Sequence, residues 1–183
     1  MRLTAGTPIF LCGFMATGKT KVGRILAQVL DRPFVDTDEL IEEAAGKSIP
    51  EIFKQDGEAA FRRLEQECVV RASQMSGLVI SLGGGAITQE VNWEVIRATG
   101  VCLCFRASAE TIFERVSRNA ERPLLAGLDD AGRMARIREM LAEREAYYSR
   151  ADLFVTSTEE RTPEETAEIA VAKLEKIAKE RSG

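Results

Sequence analysis

An α/β fold, a parallel sheet covered by helices on both faces, is what the sequence predicts, and three observations carry it. Short apolar runs alternate with longer helical patterns along the whole chain. The apolar runs are hydrophobic at consecutive positions, as strands buried on both faces must be. At 183 residues the chain has the size of one domain of this class, and no linker, internal repeat or low-complexity stretch divides it.

Taken in order, Pro8 to Cys12 reads as a buried strand, followed by a glycine-rich turn and a helix from about Lys19 to Leu30. Pro33 to Asp36 gives a second short strand. Helical patterns fill Glu39 to Met75, with breaks near Gly46-Lys47-Ser48 and Asp56-Gly57. Leu78 to Leu82 is the third strand, Val101 to Phe105 the fourth and Leu153 to Thr156 the fifth. Helices are expected near Gln89–Ala98, Ala109–Val116 and Asp130–Arg150, and a last one after Thr162-Pro163, a capping residue followed by a first-turn proline. Arg118 to Gly132, rich in Arg, Pro, Gly and Asp, breaks the regularity and reads as a mobile loop.

Composition removes several functions. The net charge is −4, with basic and acidic residues interleaved, so no nucleic-acid partner is expected. No apolar run approaches the ~18 residues that span a bilayer, and Met1 to Pro8 has no secretory pattern, so a cytoplasmic protein without a membrane partner is expected. Of the 4 cysteines, Cys102 and Cys104 share one face of a strand while Cys12 and Cys68 lie far off in sequence, and buried reduced thiols are expected rather than zinc. The absence of histidine rules out Ser-His-Asp and Cys-His systems. Any proton acceptor must be a carboxylate, a lysine or the substrate phosphate, which phosphoryl transfer tolerates.

The strongest motif is Gly13-Phe14-Met15-Ala16-Thr17-Gly18-Lys19-Thr20, a match to G-x-x-x-x-G-K-[ST] between a strand and a helix. Glycines let several backbone N–H groups surround one anion at the positive end of the helix. Lys19 supplies an ammonium for the β- and γ-phosphates of a nucleotide and Thr20 a hydroxyl for Mg2+, a motif that GTPases, ATPases and kinases share. No N-K-x-D-like pattern is present, which disfavours a GTPase.

The acceptor side is less specific. Period-two spacing puts Asp36 and Asp38 on one side at the carboxyl end of the second strand, where one carboxylate can serve magnesium and the other an attacking hydroxyl. Asp38 is equally suited to cap the following helix. Ser81-Leu82-Gly83-Gly84-Gly85 ends the third strand, and three glycines permit close approach of a ligand, although a tight turn alone explains one of them. Arg62 in Phe61-Arg62-Arg63-Leu64-Glu65 can pair with Glu58 or Glu65 at helical spacing. Arg122, in Arg122-Pro123-Leu124-Leu125, suits a lid that closes over phosphates, with Arg115 seven residues before it. Arg144 near a helix end also fits a solvated charged face.

In order, the loop Gly13 to Thr20, Phe34-Val35-Asp36-Thr37-Asp38, Phe61 to Glu65, Ser81 to Gly85, Arg122 to Leu125 and Arg144-Glu145-Ala146-Tyr147-Tyr148 resemble the shikimate kinase family over nearly the whole chain. The resemblance implies a three-layer P-loop kinase fold in a single domain, 1–183, with a five-stranded parallel sheet of order 2-3-1-4-5. It further implies a substrate-binding helical segment at about 37–65 and a mobile lid at about 116–130. It implies transfer of the ATP γ-phosphate to the 3-hydroxyl of shikimate on the route to chorismate and the aromatic amino acids, by a monomer. Asp38 then binds the ring hydroxyls and orients or deprotonates the 3-hydroxyl, while Arg62, Arg144, Gly84 and Gly85 hold the ring and its carboxylate. Asp36 joins Thr20 at the metal, and Arg122 meets the transferred phosphate. Nucleotide contacts come from Gly13, Ala16, Thr17, Gly18, Lys19, Thr20 and Lys21, with Arg115 and Arg161 near the adenine. Ala16 stands where the family usually has a third glycine, Lys21 where a small hydroxyl residue is common, and the Thr158–Thr162 segment is a residue longer than typical. A gluconate kinase and a non-catalytic nucleotide- or metabolite-sensing module are the competing readings.

Overall fold

The structure, a computed structural model, describes residues 4–118, 125 and 127–180. Its centre is a five-stranded sheet of order β2-β3-β1-β4-β5, the order expected, with every pairing parallel. The strands are β1 (Ile9–Gly13), β2 (Phe34–Asp36), β3 (Val79–Ser81), β4 (Val101–Arg106) and β5 (Leu153–Thr156). Each differs from its expected span by no more than a residue at either end.

The two faces of the sheet build two separate cores, as period-two alternation requires. On one face Ile9, Leu11, Val79, Leu103 and Val155 pack against Val22 and Leu26 of α1 (Lys19–Val29) and Ala170 and Leu174 of α8 (Pro163–Glu180). On the other, Phe10, Ile80 and Cys102 meet α4 (Glu58–Ser73), α5 (Glu90–Thr99), α6 (Ala109–Ser117) and α7 (Asp130–Tyr148) through Val69, Ile96, Ile112 and Ile137. A satellite cluster of Ile41, Ile52, Phe61 and Cys68 ties α2 (Thr37–Ala45) and α3 (Ile49–Gln55) to α4. The expected helix breaks fall at glycines with positive φ, Gly46 at 66° and Gly57 at 82°. A capping box of Ser48 and Glu51 then starts α3, and Thr162 and Glu165 bond reciprocally at the start of α8.

Two details depart from expectation. Helix α2 begins at Thr37 and not Glu39, because Asp36 is its N-cap and accepts the backbone N–H of Asp38 at 3.0 Å. The capping role considered for Asp38 therefore falls to Asp36. Cys12 is also no outlier to the other strand cysteines: it pairs in register with Cys104, and the Cys102 thiol donates to its sulfur at 3.5 Å. All four cysteines are buried and free. The bond to Cys102 together with burial pushes the Cys12 thiol well above its usual range, so these sulfurs pack as small apolar groups.

Because the strands are parallel, the carboxyl ends of β1, β2 and β3 share one rim, and β3 lies between the other two. The turn that follows β3 is thereby set between the glycine-rich loop after β1 and the aspartates after β2.

Candidate active site

The loop between β1 and α1 is shaped by its backbone. Gly13 has φ 137°, and a Cβ there would lie 2.3 Å from the carbonyl oxygen of Phe105, so only glycine fits. Ala16 adopts φ 58°, the left-handed conformation that a glycine takes without strain. Gly18 precedes α1 with no side-chain cap, and the first turn of α1 holds no acidic residue, so its N–H groups and positive end face outward. The Lys19 ammonium donates to the carbonyls of Gly13 and Phe14 at 2.8 and 2.9 Å. Burial lowers its pKa, opposed by the nearby Cys12, Asp38 and Asp36. Thr17 is buried and donates to the Phe14 carbonyl at 2.7 Å.

Asp36 works in two directions. One carboxylate oxygen caps α2, and the other accepts the Thr20 hydroxyl at 2.9 Å. Among the described residues no group of three or more His, Cys, Asp or Glu is arranged to hold a metal. The side chains on offer are thus a hydroxyl and one carboxylate beside a phosphate loop, hard oxygen donors of the kind magnesium uses when phosphates complete its shell.

At the glycine turn each glycine faces a different charged side chain. A Cβ on Gly83 would sit 2.5 Å from Oδ1 of Asp38, one on Gly84 3.6 Å from Nη1 of Arg144, and one on Gly85 3.1 Å from Nη1 of Arg62. Gly83 and Gly85 make room for Asp38 and Arg62, whereas a Cβ on Gly84 would meet Arg144 only at ordinary contact distance, so one glycine would not suffice. Arg144 donates to the Gly84 carbonyl at 3.2 Å and lies over the buried Phe14 ring at 5.5 Å, in contact with the phosphate loop. Arg62 pairs with Glu65 at 2.9 Å and Glu58 at 3.2 Å. The Glu65 pair is no surface ornament: the Glu65 side chain is 1% exposed, and burial raises its pKa against the pull of Arg62.

Lys19, Thr20, Lys21, Asp36, Asp38, Arg62, Gly84, Gly85 and Arg144 all line one cleft of about 1070 Å³. Among the described residues Gly13, Thr17, Arg115 and Arg161 do not line it. Arg115 donates to the Ala16 carbonyl at 3.0 Å, the Ser157 hydroxyl at 2.9 Å and the Thr158 carbonyl at 3.0 Å, and pairs with Glu159 at 2.6 Å. It links the phosphate loop to the segment after β5. Arg161 donates to the Thr156 carbonyl of the same segment at 3.2 Å. Residues 119–124, Arg122 among them, and residue 126 of the expected lid lie outside the described residues.

The sequence reading gave no role to three further residues at the site. Thr37 is fully buried and its hydroxyl accepts the Gly83 N–H at 2.9 Å. Tyr148 donates its hydroxyl to the Gly84 carbonyl at 2.9 Å. Phe53 of α3 reaches the cleft beside Phe61, with ring centroids 4.6 Å apart. Only Tyr148 left a usable signal, one helical turn after Arg144 and on the same face.

A family model described as Shikimate kinase matches residues 15–175. A protein from Thermodesulfovibrio yellowstonii named Shikimate kinase is 41% identical over 170 residues, 93% of this chain and 96% of the relative. A solved structure of shikimate kinase from Acinetobacter baumannii in complex with shikimate is similar with a TM-score of 0.85 and 32% identity, covering 93% of each chain. A gluconokinase from Sinorhizobium meliloti has a TM-score of 0.65 at 15% identity, a likeness of fold alone.

Proposed function

The chain belongs to the shikimate kinase family, and from that membership we propose that it transfers the γ-phosphate of ATP to the 3-hydroxyl of shikimate, giving 3-phosphoshikimate and ADP. The observation that supports this most is the shared cleft, in which the phosphate-loop lysine and the Asp38, Arg62 and Arg144 group line one space. Two pockets separated by protein would have no way to exchange a phosphoryl group.

The residues divide the work. Backbone N–H groups at the start of α1 and the Lys19 ammonium take the β- and γ-phosphates, which requires Lys19 to exchange its two loop carbonyls for phosphate oxygens. Thr20 and Asp36 are the residues that would hold Mg2+. When bound, the ion neutralises charge on the transferring group. Arg62 and Arg144 present planar guanidinium groups to the ring carboxylate, a geometry that suits bidentate pairing. Asp38 orients the 3-hydroxyl and accepts its proton as the oxygen bonds to the γ-phosphorus and the bond to the ADP oxygen breaks. Arg115 and Arg161 are assigned to the adenine and Arg122 to the transferred phosphate. Catalysis here is mostly positioning and charge neutralisation, consistent with a chain that has no histidine.

A coupled assay of ADP release with shikimate, with gluconate and with no acceptor tests this. Rapid release with shikimate alone is the expected result. Equal or faster release with gluconate, or release independent of any acceptor, would replace the reading with one of its competitors.

A further inference from the structure

The turn that carries the acceptor side is held from two helices by two hydroxyl groups. From the α2 side, Thr37 Oγ1 accepts the Gly83 N–H at 2.9 Å. From the α7 side, Tyr148 Oη donates to the Gly84 carbonyl at 2.9 Å. Both side chains are buried, Thr37 at 0% and Tyr148 at 3% exposure. Each sits close to a group the reaction uses: Thr37 lies between Asp36 and Asp38, and Tyr148 follows Arg144 by one helical turn.

We propose that Thr37 and Tyr148 are positioning residues, whose hydroxyls pin the Gly83-Gly84 peptides and so fix Asp38 and Arg144 relative to each other for the acceptor. The inference rests on the proposed reaction and deepens it. Its physical core is a shared acceptor. In this structure the Gly84 carbonyl takes hydrogen bonds from both Arg144 and Tyr148. When Arg144 turns its guanidinium to a substrate carboxylate, that carbonyl would lose a partner, and a part-buried unpaired acceptor is costly. Tyr148 keeps it satisfied, so the turn stays in place while the arginine changes partner. Burial pushes the Tyr148 hydroxyl up to about 12, against the pull of Arg144, so it remains a donor throughout the neutral range. Thr37 does the equivalent on the other side, where a Cβ on Gly83 would already crowd Asp38. A turn that drifts by a fraction of an ångström carries the Asp38 wall with it.

Steady-state kinetics with both substrates varied, alongside thermal denaturation, tests the proposal. Tyr148→Phe keeps the ring and removes only the hydroxyl; Thr37→Val keeps the branched shape and removes the acceptor; Thr37→Ser restores it. The expected result is a rise of about tenfold in KM for shikimate in Tyr148→Phe and Thr37→Val, the consequence of one lost hydrogen bond. KM for ATP stays within about twofold, and Thr37→Ser returns close to wild type. Unchanged KM for shikimate in Tyr148→Phe would overturn the proposal, as would equal rises in both KM values, which general loosening of the fold would give. The wild type is run first: if it does not phosphorylate shikimate, the proposed reaction falls and this inference with it, whereas a working wild type with indifferent variants sinks the inference alone.

Discussion

Gly83→Ala tests the glycine turn directly. The added methyl would lie 2.5 Å from Oδ1 of Asp38, where ordinary contact begins near 3.4 Å, so the carboxylate must retreat by about 0.9 Å. The atom that yields is the end of a side chain, and Gly83 does not have the positive φ that would strain an alanine, so the fold should lose little, within about 1 kcal/mol. Displacement on that scale costs a reacting group much more, since a misplacement of 1 Å can cost ~10²-fold in rate. We expect kcat for shikimate phosphorylation to fall about a hundredfold, equivalent to ~2.7 kcal/mol of transition-state stabilisation. ADP affinity by calorimetry should be unchanged, because the loop from Gly13 to Thr20 is untouched. A variant that turns over within a few-fold of wild type would refute the claim that Asp38 works from its present position. So would a variant that loses nucleotide binding in proportion.

Arg62→Ala should raise KM for shikimate by roughly 10- to 100-fold, the range for removing one charged hydrogen-bonding partner, with ATP binding nearly intact by calorimetry; an equal loss of both affinities would end its role as a substrate anchor. Asp36→Asn keeps an N-cap for α2 but removes the charge beside Thr20, so the Mg2+ concentration for half-maximal activity should rise about tenfold with little change in melting temperature. Glu65 gives a pH signature. Its carboxyl is raised above 4.5 by burial, so its contribution to stability is present below that value and is lost as pH rises through the folded-state value. The melting temperature of wild type minus that of Glu65→Gln should therefore fall on going from about pH 4 to pH 8, and a difference that grew instead would reverse the assignment of burial as the dominant cause.

The sequence disclosed what is local and periodic. The loop from Gly13 to Thr20, the strand alternation and the breaks at Gly46 and Gly57 follow from backbone rules acting over a few residues. What stayed hidden depends on contacts across the chain. The bond between Cys12 and Cys102 spans strands remote in sequence, and nothing in either neighbourhood announces it. Whether Asp36 or Asp38 caps α2 turned on a shift of two residues in the helix start, which cap preferences cannot resolve when both are aspartates. Arg62 looked like half of a surface pair because Glu65 carries no local sign that it is buried. The crowding of Asp38 against Gly83 and of Arg62 against Gly85 emerged only when the elements that carry them were brought to one rim.

The unfinished start of α1 bears on folding as well as on chemistry. Many helices cap their first turn with a side chain of their own; behind Gly18 no side chain caps α1, and its first turn holds no acid. On the proposed function the missing cap is a molecule drawn from solution. A nucleotide that docks there supplies the hydrogen-bond acceptors and negative charge the polypeptide omits, so heat tolerance is coupled to the surrounding nucleotide concentration, and part of the native state's stability is written outside the chain.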